Sequence, residues 1–358
     1  MKLQMKEMPS PVKHPLPKAE ALAYLCVDEF MKTLIDAGGL AAAFELGLID
    51  YLVQNSKVRL DDLRDGLAID AQGLRFLLDL LMANHVIEMD NGDIGLTPAF
   101  LRALKFRDLL EAKLEFSRFV APDMVHQFTA LIRSFQQFGR DSRTFELFCY
   151  GRSLENSPEN FKLTKRWVRI TTALTKYEAQ VCLQYHDFSR YRRMLDIGGN
   201  SGEFALRVCK AHPDIQATVF DLPVVCDVGL AHVEAEPEAG RICFVKGNAL
   251  ADPLPKGFDL IAFKSMLHDW PEKEAKQLIA KAKGALAPGG TLLIFERGPI
   301  EVGEKTPPYS MISFLLFFRS FRSPEIYRDQ LKASGFSAVA VRRIDLEMPF
   351  FLITGTNA

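Results

Sequence analysis

The sequence predicts an α/β fold: a doubly wound parallel sheet in the C-terminal half, preceded by a mainly helical module. Three observations carry this. Beyond residue 185, short apolar runs alternate with helical patterns, as they do when parallel strands are joined by crossover helices. The first of these runs, Arg193 to Ile197, leads through Gly198-Gly199-Asn200-Ser201-Gly202 directly into a helical stretch from Phe204 to Ala211. Nearer the N-terminus, three helical patterns are followed by a hairpin signal, the order found in a winged helix-turn-helix.

Length and charge bound what such a protein can do. At 358 residues the chain has room for two domains. Its 44 basic residues nearly balance 45 acidic ones, for a formal charge of −1. That argues against a polyanion as main partner, since non-specific nucleic-acid binding is the work of Lys and Arg on phosphate. The six cysteines (Cys26, Cys149, Cys182, Cys209, Cys226 and Cys243) are scattered without a C-x-x-C pair, so neither a disulfide framework nor a metal site is expected. No apolar run has signal-peptide form or approaches 18 residues, and the expectation is a soluble, cytoplasmic protein without a membrane span.

Residues 1–19, with Pro9, Pro11, Pro15 and Pro17, read as an extended arm. From Glu20 to about Val53 the pattern is helical, with Leu22, Leu25 and Cys26 early, Ala43, Leu46 and Ile49 late, and a break expected at Gly38-Gly39. Leu60-Asp61-Asp62-Leu63 follows, then Gln72 to Asn84 with Leu74, Leu77, Leu78 and Leu81 at helical spacing. Val86 to Thr97 is a hairpin turned at Asn91-Gly92. Residues 20–105 thus form a winged-helix-like module. Residues 57–98 carry four basic and eight acidic side chains, a net −4; that charge opposes DNA binding and favours packing against another chain. Residues 106–184 are helical and aromatic-rich, a connector that contributes to a substrate pocket. Residues 185–358, the last domain, carry the strand-helix alternation of the doubly wound sheet.

Within that domain the carboxyl ends of the strands lie on one edge, where open α/β sheets bind ligands. Glycines at the first turn let a ligand approach the backbone, and the helix behind it offers free N–H groups. The second strand, Gln216 to Phe220, ends in Asp221, placed to accept hydrogen bonds from a ribose diol. A dinucleotide or S-adenosylmethionine (SAM) would satisfy that. Asp196, two residues before Gly198, decides between them: a carboxylate there suits an amine or cationic group and repels a pyrophosphate. Further strands end at Gly247-Asn248-Ala249, at Lys264 with His268 close behind, and at Glu296. Asp196, Gly198, Asp221, Asn248, Lys264, His268 and Glu296 are therefore expected to converge. Imidazole is matched to take a hydroxyl proton near neutral pH. Glu296 either holds the ring of His268 or forms an ion pair with Arg297.

The runs MLDIGGNSGEF, FDLP, KGNAL, FKSMLHDWPEKEA and APGGTLLIFE, in this order, resemble the plant caffeic-acid and hydroxyindole type of SAM-dependent O-methyltransferase and its bacterial secondary-metabolite relatives. The resemblance covers residues 20 to 345. It implies a Rossmann-like class I methyltransferase sheet and an N-terminal domain that serves homodimerisation. It also implies that Gly198 and Gly199 line the SAM site, that Asp221 with Leu222 takes the ribose, and that Asn248 and Ala249 stand on the adenine side, where the family generally has Asp for Asn248. Lys264 would sit at the adenosine pocket, His268 would be the general base and Glu296 its orienting partner. Asn200 replaces the last glycine of the usual turn and is a residue that tolerates positive φ.

One departure matters. The family carries a second carboxylate beside the catalytic histidine, within a segment that corresponds to Arg319-Ser320-Phe321-Arg322-Ser323, so Phe321 takes its place. The reaction implied is methyl transfer to a hydroxyl of a small hydrophobic or aromatic molecule, without a metal. Phe321 keeps open C- or N-methylation, or a non-methylating decarboxylation or hydroxylation. The apolar run Met311 to Phe318 either lines the acceptor pocket or packs as a core helix; the two are compatible because a helix has two faces.

Overall fold

Near-continuous apolar runs along the central strands bury both faces of one seven-stranded sheet. The computed structural model describes residues 17–304 and 306–357. Residues 1–16 of the expected arm lie outside the described residues, and Lys18–Ala21 form one helical turn. The strands of this sheet are β4 (Arg193–Ile197), β5 (Gln216–Asp221), β6 (Ile242–Lys246), β7 (Phe258–Lys264), β8 (Leu286–Arg297), β9 (Phe336–Asp345) and β10 (Pro349–Asn357). Their order is β6-β5-β4-β7-β8-β10-β9. Strands β4 to β8 are parallel, and β10 runs antiparallel between β8 and β9. The antiparallel pair is a finding beyond the five strands read from the sequence. Strand β9 is the exposed edge and carries Arg342 and Arg343, charges that discourage further strand pairing.

The core has two layers. Met194, Leu293 and Phe295 face one, with Phe204 and Phe350; Leu195, Ile261 and Leu292 face the other, with Leu278 and Ile279. The chain leaves β4 toward β5 on one side and reaches β7 on the other, so the strand order reverses beside β4. Ligands bind at such a switch point.

The N-terminal module is built of short helices and a three-stranded antiparallel sheet, β1 (Val58–Arg59), β2 (Ile87–Asp90) and β3 (Asp93–Leu96), in the order β1-β3-β2. Asn91 and Gly92, both with positive φ, make the predicted turn of the wing. The expected break at Gly38-Gly39 does not occur. The helix Leu34–Glu45 runs through both glycines, opened by a reciprocal capping box of Thr33 and Asp36. Gly39 lies beside Leu80 of the helix Ala71–Ala83, where a Cβ would make ordinary contact. The chain turns instead at Gly47, which has φ 75°.

Two long helices of the connector, Arg107–Arg133 and Pro158–Tyr185, bring the module to the sheet. Serines cap the pieces: Ser157 opens the second helix, and Ser134 and Ser142 open short helices between the two.

Candidate active site

The glycine turn is fixed from several sides. Gly198 donates its N–H to the Phe220 carbonyl at 2.9 Å and has φ 67°; a Cβ there would run into Met266. Asn200 adopts φ 58°, as its residue type suggested. Its N–H donates to Asp221 Oδ2 at 2.8 Å, and its side-chain oxygen accepts from Ser201 N–H at 2.7 Å and Thr171 Oγ1 at 3.3 Å. The turn is thus tied both to β5 and to the helix Pro158–Tyr185.

Two acids flank the turn, Asp196 buried and Asp221 half-buried. Asp221 Oδ1 accepts the Leu222 N–H at 2.7 Å, so each oxygen takes one amide and retains capacity for another donor. Burial pushes its carboxyl up to about 6, against the pull of those amides. Asp196 is 1% exposed and neither of its oxygens has a partner. Burial, then the neighbouring Asp221 charge, push it up to about 7.

Gly198, Asp221, Leu222, Asn248, Ala249, Lys264 and His268 line one cavity, so seven of the ten residues selected from the sequence share it. Asp196 and Gly199 are not among its lining residues. A Cβ on Gly199 would lie 2.6 Å from Asp196 Oδ2, so the carboxylate is packed beneath the turn. Glu296 lies behind His268, fully buried.

His268 belongs to the single turn Leu267–Asp269 that follows β7. Its Nδ1 is 2.7 Å from Glu296 Oε2, while Glu296 Oε1 accepts the N–H groups of Met266 at 2.8 Å and Leu267 at 2.7 Å. A carboxylate at Nδ1 assigns the ring proton to that nitrogen and leaves Nε2 as the acceptor. Burial opposes charge on the ring, yet Glu296 and then Asp269 outweigh it and hold the imidazole above its ordinary range. Burial likewise acts against the Glu296 charge, and His268 holds that carboxyl below its usual range. Asp269 Oδ1 lies 3.5 Å from His268 Nε2, and Asp269 Oδ2 accepts the Tyr150 hydroxyl at 3.0 Å. The ring of Phe321 meets the imidazole with centroids 5.2 Å apart at 61°. The acid beside Nε2 is therefore Asp269, on the histidine's own turn.

Lys264 lines the cavity with its charge already matched. Its ammonium donates to Thr175 Oγ1 at 2.9 Å and pairs with Glu178, which also pairs with Arg297. The guanidinium of Arg297 is stacked between Phe314 and Phe350, each ring centroid 4.8 Å away. Sequence reasoning missed Glu178. The signal was available, since Glu178 falls with Leu174 and Val181 on one apolar face of its helix, where a lone carboxylate needs a cation. Phe148, Tyr150, Trp167, Phe314 and Phe317 add an aromatic wall to the cavity. Phe314 is buried in the core as well, so the Phe-rich run both lines the cavity and packs in the core.

Known proteins are similar to this chain. The family described as O-methyltransferase domain matches residues 128–337. The chain is similar to 3-hydroxy-5-methyl-1-naphthoate 3-O-methyltransferase of Streptomyces sahachiroi, 36% identical over 141 residues, which are 39% of this chain and 39% of that protein. The match thus spans about two fifths of that relative's length. It is also similar to the N,N-dimethyltransferase OxyT of Streptomyces rimosus, 27% identical over 337 residues, covering 90% of this chain and 93% of that one. Among solved structures, human N-acetylserotonin methyltransferase in complex with SAM shares the fold with a TM-score of 0.71, at 20% identity over 90% of this chain and 94% of that chain.

Proposed function

Since the chain belongs to the O-methyltransferase domain family, we propose that it transfers a methyl group from SAM to a hydroxyl of a small hydrophobic or aromatic metabolite, with His268 as general base. The observation that carries this reading is the 2.7 Å contact of Glu296 with His268 Nδ1, which leaves Nε2 free to accept a proton at the cavity wall.

The residues present fit SAM. A partnerless buried carboxylate at Asp196 lies under a glycine turn that a Cβ would fill, a setting that a ligand with a cationic amine would balance. Asp221 has acceptor capacity left for a diol. Asn248, Ala249 and Leu222 would border the adenosine. When bound, SAM supplies an electrophilic methyl group. The chain's own part is to orient the acceptor hydroxyl between aromatic walls, to exclude water and to take the hydroxyl proton at His268 Nε2. Glu296 then neutralises the imidazolium. Positioning removes much of the entropic barrier, and general-base assistance adds about 10²–10⁴-fold.

A second reading, methylation of nitrogen, is favoured by two observations. Phe321 stands where the family has an acid, and the relative that the chain matches over most of its length is an N,N-dimethyltransferase. The partner chain in this proposal is a second copy, bound through the N-terminal module, where Leu34, Ile35 and Phe76 are exposed apolar side chains. Among the described residues no helix is long and apolar enough to cross a membrane.

Calorimetry with SAM and S-adenosylhomocysteine tests the cofactor, and absence of binding to both would sink the proposal. Mass spectrometry of products from phenolic and amine acceptors then separates the two readings, and His268→Ala is expected to bind cofactor normally while turnover collapses.

A further inference from the structure

We infer that Arg322 is a positioning residue for the base: its guanidinium holds the backbone turn that carries His268 and so sets how Nε2 faces the cavity. This rests on the reading of His268 as the base.

The turn Leu267–Asp269 is three residues long. Its own hydrogen bonds are long ones, Asp269 N–H to the Met266 carbonyl at 3.2 Å and Trp270 N–H to the Leu267 carbonyl at 3.3 Å. A single turn of this kind has poor hydrogen-bond geometry and is not rigid by itself. Two charged side chains from other elements hold it. Glu296, from β8, takes the N–H groups of Met266 and Leu267. Arg322 takes the opposite pole: Nη1 donates to the Leu267 carbonyl at 2.9 Å, and Nη2 donates to the Trp270 carbonyl. Leu267 is thus gripped by its N–H and by its C=O, and His268 lies between the two carbonyls that Arg322 binds.

Among the described residues, the only other hydrogen bond of Arg322 is to the Tyr327 hydroxyl at 3.3 Å. Tyr327 is buried, on the helix Pro324–Ala333, and anchors the arginine from behind. The guanidinium is therefore directed to backbone carbonyls and not to a carboxylate. Such charge-assisted bonds are about twice as strong as neutral ones, and a planar fork offers its donors in a fixed geometry that a flexible ammonium lacks. Phe321, the preceding residue, packs its ring on the imidazole. Adjacent side chains thus hold the ring and the backbone of the same histidine.

The test reads the histidine itself, so the acceptor need not be known. In the full chain with 15N-labelled histidine and saturating S-adenosylhomocysteine, the His268 signal is identified by its loss in His268→Gln. The groups facing this ring are Glu296, Asp269 and Arg297, with Tyr150 acting through Asp269. The parent is expected to titrate above 6.5, the ordinary histidine value. In Arg322→Met and Arg322→Lys the midpoint is expected to fall toward that value as the ring leaves Glu296, while calorimetric affinity for S-adenosylhomocysteine stays unchanged. An unchanged midpoint in both variants overturns the inference, and so does loss of folding in Arg322→Lys, which would make the arginine a stability element. If S-adenosylhomocysteine fails to bind the parent, it is the methyl-transfer reading that fails.

Discussion

His268 Nδ1 and Glu296 Oε2 lie 2.7 Å apart, and each holds the other in its charged form: the imidazole is raised, the carboxyl lowered. A base works only when neutral, so turnover is expected to rise with pH through the raised pKa of His268 and to reach half its maximum above 6.5. Glu296→Gln removes the charge that favours imidazolium. Its midpoint should move to lower pH while maximal turnover falls about 10²-fold, the lower end of what a positioned base contributes. The pH dependence of kcat for the two proteins checks both statements, and a midpoint that does not move would remove Glu296 from its role.

Asp196 combines a cost to stability with the role in binding proposed for it. Its folded pKa of about 7 exceeds the unfolded value of about 3.9, so the folded state holds the proton more tightly. Stability of the ligand-free protein is therefore fully present below the unfolded value and is lost as pH rises toward 7. Asp196→Asn removes the penalty. Its melting temperature at pH 8 should exceed the parent's, while SAM affinity falls about tenfold, roughly 1.4 kcal/mol. Thermal melts with and without SAM read both effects. A variant that melts lower would refute the idea that this carboxylate is strained by burial.

The parallel strands and their ends were legible because apolar runs, glycines and acids recur in the order a doubly wound sheet requires. That is how Asp221, Asn248, Lys264 and His268 could be assembled across loops of unknown shape. Gly38-Gly39 misled because glycine lowers helix propensity without forbidding a helix, and the capping box and the packing of Leu40, Ala41 and Ala43 carry the helix through. The hairpin β9–β10 was missed because β9 has little apolar alternation, being an exposed edge. Glu178 and Arg322 act on partners 86 and 55 residues away; the apolar face around Glu178 marks that it needs a cation but not which one, and nothing local marks Arg322.

Glu178 is 1% exposed and shared between Lys264 and Arg297. Removing its charge would leave two buried cations facing each other, and breaking such a group typically costs about 3–5 kcal/mol. Glu178→Gln is expected to lose stability on that scale in urea unfolding. Burial already depresses the Lys264 pKa, an effect that Glu178 offsets, so the variant should recover part of the loss at high pH, where Lys264 gives up its proton. A variant as stable as the parent would show that the cluster is solvated.

Phe321 tests whether a second acid beside the base matters here. The ring is buried, stacked near Phe317 with centroids 6.3 Å apart and set against His268 at 5.2 Å. Phe321→Leu deletes part of that packing without adding charge, so it should cost about 1–3 kcal/mol and leave the pH midpoint of turnover where it was. Phe321→Glu deletes the ring and places a carboxylate against the imidazole. An opposite charge within contact distance favours imidazolium, so the midpoint should rise above that of the leucine variant while stability falls further, because the new carboxylate is itself buried. Urea unfolding and the pH profile of kcat, measured on both variants, separate the steric effect from the electrostatic one. Equal midpoints would mean that Asp269 and Glu296 already fix the protonation of His268, and that the ring at position 321 matters only for the shape of the cavity.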